Sequence, residues 1–319
     1  MTLKPSIPLT AVVRYVHPRT RSVEDYVRRP VLLASLAATA AAAMLSVAAP
    51  ASAINSYNAQ PAPERTEVGA LVVQYDRDSN PATPDVVDWV CSGTMISADT
   101  FLTAAHCTTD WPAGIKFYVS LAQDTQAAID ASYAQGGTPE QIAGRVAVQG
   151  TPYWDQGYPG NSADAHDIAV IKLDKAQAAE LAKRWKFTPA SLPRRNQLSD
   201  LGSRALDADQ WQVMGYGTQE AVNGPGGQTH PGGGVRQKAT VDFNALNPTW
   251  VRLAMNESRG LGGACYGDSG GPNFVTLDGK LVLAGTTITG DSPCYATNVA
   301  YRMDTDSARN FLKQFVTLP

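Results

Sequence analysis

The sequence predicts an all-β protein, a sandwich or barrel, behind an export signal. Two observations carry the β assignment. From residue 68 onward, short apolar runs rich in Val, Ile, Thr and aromatics recur between clusters of Gly, Pro, Asn and Asp, the texture of stacked short strands. The 319 residues are 44% hydrophobic and 17% charged, enough to bury a large core and too apolar for a disordered or fibrous chain.

The amino-terminal region differs from the rest. A basic, irregular segment ends in Arg28-Arg29-Pro30, the apolar run "VLLASLAATAAAAMLSVAAP" follows, and Ala51-Ser52-Ala53 comes directly after it. That order reads as a signal peptide over residues 1–53; the competing membrane-anchor reading is weakened by the alanine content and by the small-x-small site. Residues 54–67 form an N-terminal segment or short propeptide. Cleavage after Ala53 leaves 20 basic against 27 acidic residues, a balance of −7. Such a surface, with no basic run, argues against a nucleic-acid partner.

The runs "GALVVQY", "TFLTAA", "IKFYVS", "RVAVQG", "DIAVIKL", "WQVMGYG", "VRQKATVDF" and "LVLAGTTIT" are the strand candidates in chain order. "AQDTQAAIDASYAQGGTPEQIAG" and "AQAAELAKRW" read as helical or looped insertions between them. Residues 223–234, "NGPGGQTHPGGG", are too glycine-rich to order cheaply and are expected to be a mobile loop with His230 solvated. At the carboxyl end Ala308, Phe311, Leu312 and Phe315 switch to helical spacing behind Thr305 or Asp304 as cap.

The chemistry starts from "GGACYGDSGGPNF", residues 262–274. Ser269 stands in a Gly-x-Ser-x-Gly pattern, but an α/β-hydrolase needs its histidine after the serine, and none of His17, His106, His166 and His230 follows Ser269. An imidazole base must therefore come from upstream. A serine hydroxyl is a poor nucleophile without such a base and a buried carboxylate to orient it. His106, in "LTAAHC", is the candidate base. Asp167 opens the apolar run "DIAVIKL", where an inward carboxylate needs a partner. His166 is the rival base, but neighbouring residues on an extended strand face opposite ways.

Four cysteines, Cys91, Cys107, Cys265 and Cys294, in an exported chain imply disulfides with three pairings open. No Cys-x-x-Cys pair supports a metal site, so neither metal nor cofactor is expected.

"LTAAHC", "DIAVIKL" and "GDSGGP", in this order, together with the "GYG" at residues 215–217, resemble the trypsin-like (chymotrypsin-family) serine proteases from about Val68 to the terminal helix. The resemblance implies two six-stranded antiparallel β-barrels over residues 68–319 with the site between them. It implies a His106–Asp167–Ser269 triad, an oxyanion hole from the N–H groups of Gly267 and Ser269, and the pairings Cys91–Cys107 and Cys265–Cys294. It places a specificity pocket at Gly263, Ile288, Thr289, Gly290 and Asn298. Gly263 stands where Lys/Arg-cleaving relatives carry an aspartate, so apolar or aromatic P1 residues are expected, with Asp291 the suspect acid if basic residues are cut instead.

The implied partners are protein or peptide substrates and protein protease inhibitors, for a secreted monomer with no membrane contact after signal cleavage. A catalytically dead binding protein or an esterase on the same fold are the alternatives.

Two departures matter. The family's Ser-Trp-Gly segment reads Ile288-Thr289-Gly290 here, so the contact to Asp167 must come from elsewhere, Thr287 or Thr289 being nearest. The family's Ile-Val-Gly-Gly activation sequence is missing, so buried Asp268 needs another cation: the amine of Ile54 freed by signal cleavage, an arginine, or a terminus made by a cut at Arg65.

Overall fold

The computed structural model describes residues 54–80, 82–161 and 165–319; the expected signal peptide lies outside them. Fifteen strands run in chain order among these residues: β1 (Gln60–Pro61), β2 (Val68–Tyr75), β3 (Val86–Met95), β4 (Thr100–Thr103), β5 (Lys116–Ser120), β6 (Val148–Trp154), β7 (Ala169–Lys172), β8 (Trp211–Gly215), β9 (Val222–Gly224), β10 (Gly227–Thr229), β11 (Gln237–Leu246), β12 (Trp250–Ala254), β13 (Pro272–Leu277), β14 (Lys280–Gly290) and β15 (Thr297–Arg302).

The first barrel closes in the order β2-β3-β4-β7-β6-β5, every pairing antiparallel. The second runs β11-β12-β15-β14-β13-β8 and closes through β8 onto β11, with β1 added at the edge. Closure leaves no exposed edge row of unpaired backbone groups. The first barrel is filled by Leu71, Val73, Met95, Phe101, Phe117, Val119 and Ile171. A second cluster joins Val68, Leu102 and Ile168 of one barrel to Met214, Tyr216, Phe274 and Tyr301 of the other, so the seam itself is apolar. Burying each such side chain contributes about 1.5–3 kcal/mol.

A buried guanidinium sits at that seam. Arg236, almost fully buried, donates to the carbonyls of Ala62, Val68 and Leu121 and to the Tyr216 hydroxyl at 2.9–3.1 Å.

Both expected insertions are helical. α1 (Thr125–Ala134) is capped by Asp124, α2 (Pro139–Val146) by a Thr138–Gln141 capping box and α3 (Lys175–Arg184) by an Asp174–Gln177 box. The terminal helix, α5 (Asp306–Leu312), takes Thr305 as its cap and buries Ala308, Phe311 and Leu312 against the seam. α4 (Gln197–Ala208) has no counterpart in the sequence reading: non-helical Gly202 interrupts it, and only Leu198 and Leu206 are buried.

The glycine-rich loop also departs from expectation. β9 and β10 pair as a small antiparallel hairpin, and His230 is half-buried, its Nδ1 3.1 Å from the Gln219 carbonyl and 3.3 Å from Cys265 Sγ. The edge-to-face ring of Tyr266, centroid 4.6 Å away, covers it. A ring that finds a carbonyl, a sulfur and an aromatic neighbour gains more than it loses in leaving water.

Candidate active site

His106 lies in a single 3-10 turn, Ala105–Cys107, directly after β4. The Cys91–Cys107 disulfide ties that turn to β3, and Trp111 donates its indole N–H to the Cys107 carbonyl at 3.0 Å. Asp167 is fully buried and grips the turn twice: Oδ2 lies 2.7 Å from His106 Nδ1, and Oδ1 accepts the His106 backbone N–H at 2.9 Å. A carboxylate on Nδ1 fixes the proton there and leaves Nε2 as the acceptor. The imidazole is about a quarter exposed, its side chain at 23%. His166 points elsewhere, pairing through Nδ1 with Asp155 at 3.0 Å.

Ser269 is brought to this turn by its own backbone. Its carbonyl accepts the Ser92 N–H at 2.9 Å and lies 3.8 Å from Cys107 Sγ. Among the described residues no hydrogen bond joins the Ser269 hydroxyl to His106, whose Nδ1 is held by Asp167. The bend is built from glycines at positive φ: Gly267 at +92° and Gly270 at +77°. A Cβ at Gly267 would sit 2.5 Å from the Trp89 ring, and one at Gly270 would overlap Thr103 Oγ1. Ser92 Oγ donates to the Gly267 carbonyl at 2.9 Å and pins that peptide. The N–H groups of Gly267 and Ser269 have no hydrogen-bond acceptor among the described residues.

Between them Asp268 turns inward. Its carboxylate is fully buried and among the described residues accepts the N–H groups of Gly217 and Cys265, each at 2.8 Å. Burial pushes its pKa from 3.8 up to about 7, the two N–H groups only partly opposing this. Among the described residues no arginine is paired with it: Arg236 is held by carbonyls, and Arg65 pairs with Glu67 and lies over Phe274. Ile54 does approach. It is fully buried, and its backbone N–H donates at 3.3 Å to the carbonyl of Gly217, the residue whose N–H holds Asp268. Its φ of +71° is a strained conformation for a β-branched residue.

Gly263 faces Met255, whose side chain occupies the space a Cβ would need, and Asn55 covers its backbone. The Cys265–Cys294 disulfide joins this segment to the loop after β14. Gly290 needs its missing side chain, because a Cβ would lie 2.6 Å from the Thr297 carbonyl. Ile288 is buried, Thr289 half-buried and Gly290 exposed. Asn298 is buried and donates to Asn273 at 2.7 Å, while Asn273 donates to the Thr287 hydroxyl at 2.9 Å. Among the described residues neither Thr287 nor Thr289 donates to Asp167, whose carboxylate is met by His106 alone. Asp291 accepts the N–H groups of Tyr295, Ala296 and Thr297 and acts as a loop cap. His106 with Cys91 and Cys107, and His230 with Cys265 and Cys294, cluster at ligand distances. Both sulfur pairs are consumed in disulfides, which leaves one imidazole in each cluster. Asn55, Met255 and Ser92 escaped the sequence reading; only Ser92, beside Cys91, carried any local hint.

The sequence profile of the trypsin family matches residues 71–311. The chain belongs to the trypsin family. The family's members are serine-type endopeptidases, hydrolases whose substrates are proteins or peptides. Relatives agree with the trypsin-family assignment. A chymotrypsin-like elastase family member 1 from Macaca fascicularis is 27% identical over 207 residues, 62% of this chain and 66% of its own. A kallikrein 1-related peptidase b22 from Mus musculus is 27% identical over 221 residues, 66% and 73%. A CLIP domain-containing serine protease B4 from Anopheles gambiae is 25% identical over 234 residues, 67% and 60%. This trypsin-family chain thus spans about two thirds of the length of the relatives it matches. No helix among the described residues is long and apolar enough to cross a membrane.

Proposed function

We propose that the chain is a secreted serine endopeptidase acting through His106, Asp167 and Ser269. The observation that carries this is the Asp167–His106 pair, Nδ1 to Oδ2 at 2.7 Å, beside a serine loop whose N–H groups at 267 and 269 are unpaired. With Nδ1 held by Asp167, His106 Nε2 takes the Ser269 proton as Oγ attacks the scissile carbonyl carbon. The oxyanion settles on the two N–H groups, each donor accounting for about 10²–10³ in rate. The protonated imidazole then hands its proton to the leaving amine, and water attacks the acyl-enzyme by the same route.

Residues 1–53 are the leader, and Ile54 is the mature terminus. A new amine here would start from the Gly217 carbonyl, one peptide from Asp268, the one buried carboxylate among the described residues without a cation partner. The cut would also abolish the dihedral that strains Ile54, since φ is defined through the preceding carbonyl carbon. Residues 54–67 then stay docked as part of the enzyme rather than leaving as a propeptide, and residues 68–319 are the two-barrel domain.

The P1 preference is apolar: Met255 fills the place of a side chain at Gly263, and Asp291 is committed to its loop. The enzyme acts as a monomer and is open to protein inhibitors that mimic substrate.

The test is turnover of peptides varied at P1, with Ser269→Ala as control. Cleavage after apolar residues, abolished in the variant, supports the reading; dominant cleavage after Lys or Arg overturns the specificity. Turnover of esters without peptides would make the chain an esterase.

A further inference from the structure

Asn55, next after the residue assigned as terminus, is fully buried and makes three hydrogen bonds. Its backbone N–H donates to the Gly263 carbonyl at 2.9 Å, its Oδ1 accepts the Gly263 N–H at 2.8 Å, and its Nδ2 donates to the Cys294 carbonyl at 3.3 Å. One residue thus takes both main-chain groups of Gly263, 208 positions later in the chain. With no side chain of its own and Met255 pressed against its Cα, Gly263 has only these bonds to fix its peptide. Gly263 leads through Cys265 into the Ser269 loop, and Cys294 is the disulfide partner of Cys265. Asn55 therefore touches both sides of the covalent link that frames the substrate face.

The segment around it is docked at further points, among them Ala62, whose N–H and carbonyl both pair with Arg236. Ser56 bonds Glu220, Asn58 Nδ2 donates to the Leu261 carbonyl at 3.2 Å, and β1 adds only two residues to β11. The Glu220 contact is exposed, where such bonds contribute little. The buried carboxamide of Asn55 is a strong point, since losing it leaves a buried N–H and a buried carbonyl without partners.

We infer that Asn55 is a positioning residue: its carboxamide fixes the Gly263 peptide and the Cys294 carbonyl, and so sets the geometry of the walls that receive the substrate. This rests on the assignment of Ser269 as nucleophile and of the adjoining walls as the substrate face. Ile54 supplies charge to Asp268; Asn55 supplies geometry to the walls.

The test uses the mature protein and two variants. Asn55→Leu keeps size and burial but removes both side-chain bonds. Asn55→Asp keeps the acceptor for the Gly263 N–H and turns the second oxygen against the Cys294 carbonyl. In Asn55→Leu, hydrogen exchange at the Gly263 amide should speed up by about tenfold or more and KM for a peptide should rise by about tenfold, the loss from one unsatisfied buried group. Labelling of Ser269 by a small fluorophosphonate, which needs no extended wall, should change by less than about threefold. Asn55→Asp should keep the Gly263 amide protected yet raise KM.

Wild-type exchange and KM in folded Asn55→Leu would overturn the inference. If that variant does not fold, an unchanged KM in Asn55→Asp does so. A wild-type protein that neither labels nor cleaves defeats the proposed function, and Gly263 exchange then judges Asn55 alone.

Discussion

Asp268 offers a test of where the mature chain begins. Two forms are compared, one starting at Ile54 and one keeping Ala53. In the longer form no cation reaches the carboxyl, and its pKa sits at about 7 instead of 3.8. That gap corresponds to about 4 kcal/mol of unfavourable free energy when the buried group is charged, an order-of-magnitude value. The folded longer form therefore binds a proton that the unfolded chain has already released, so its stability falls as pH rises from about 4 to about 7 and levels off above that. In the form starting at Ile54 the ammonium beside Asp268 pulls the carboxyl back down and removes the fall. Its own pKa is lifted by the pairing, so its contribution persists through the ordinary α-amino value of about 8 and is lost at higher pH. Urea unfolding of both forms between pH 4 and 8 isolates the effect, because all other groups cancel in the difference. The advantage of the Ile54 form should be smallest at pH 4 and grow to a few kcal/mol by pH 8. A difference independent of pH would refute the pairing.

Asp167→Asn should leave the fold intact and lower kcat about 10⁴-fold, because an amide on His106 Nδ1 no longer fixes the tautomer; kcat on the best peptide is the readout. Gly263→Asp should not create a trypsin-like cut after Lys. Its side chain meets Met255 and should cost more than about 3 kcal/mol in urea unfolding; efficient cleavage after Lys would contradict the Met255 argument. Arg236→Met removes four donated hydrogen bonds at the seam and strands the Leu121 carbonyl, while those of Ala62 and Val68 keep the Arg65 N–H and the Tyr216 hydroxyl; the expected loss is about 2–3 kcal/mol by denaturant titration. Replacing Cys91 and Cys107 together by alanine opens a loop of sequence separation 16 and should lower stability by about 3 kcal/mol in the chain-entropy view.

Most of the barrel strands were legible in the sequence because their signals are local, and the Asp167–His106 pair that the structure brings together was picked out from the same kind of signal. "DIAVIKL" announces a buried strand, and the glycines around Ser269 announce a bend that L residues cannot make. β12, β13 and β15 were not singled out: "WVRLA" and "TNVAYR" are short, and "PNFVTL" is overshadowed by the serine motif before it. α4 was missed because Gly202 breaks its period. His230 looked solvated because its neighbours are glycines; what orders it, the sulfur of Cys265 and the ring of Tyr266, arrives from 35 residues away or more. Asn55 is the extreme case, its two side-chain partners lying 208 and 239 positions away. Burial of a polar residue by such remote partners leaves no trace in local pattern. The disulfide pairing, too, came from family resemblance and not from spacing.

The most direct check of the proposed triad is the intact mass of the protein recovered from the culture medium of an expressing host before and after treatment with a fluorophosphonate, alongside Ser269→Ala. A single adduct, absent in the variant, on a polypeptide whose unlabelled mass begins at Ile54 is the expected result. A folded protein of that mass that takes no adduct, or takes it equally in the variant, would contradict the assignment of Ser269 as the nucleophile.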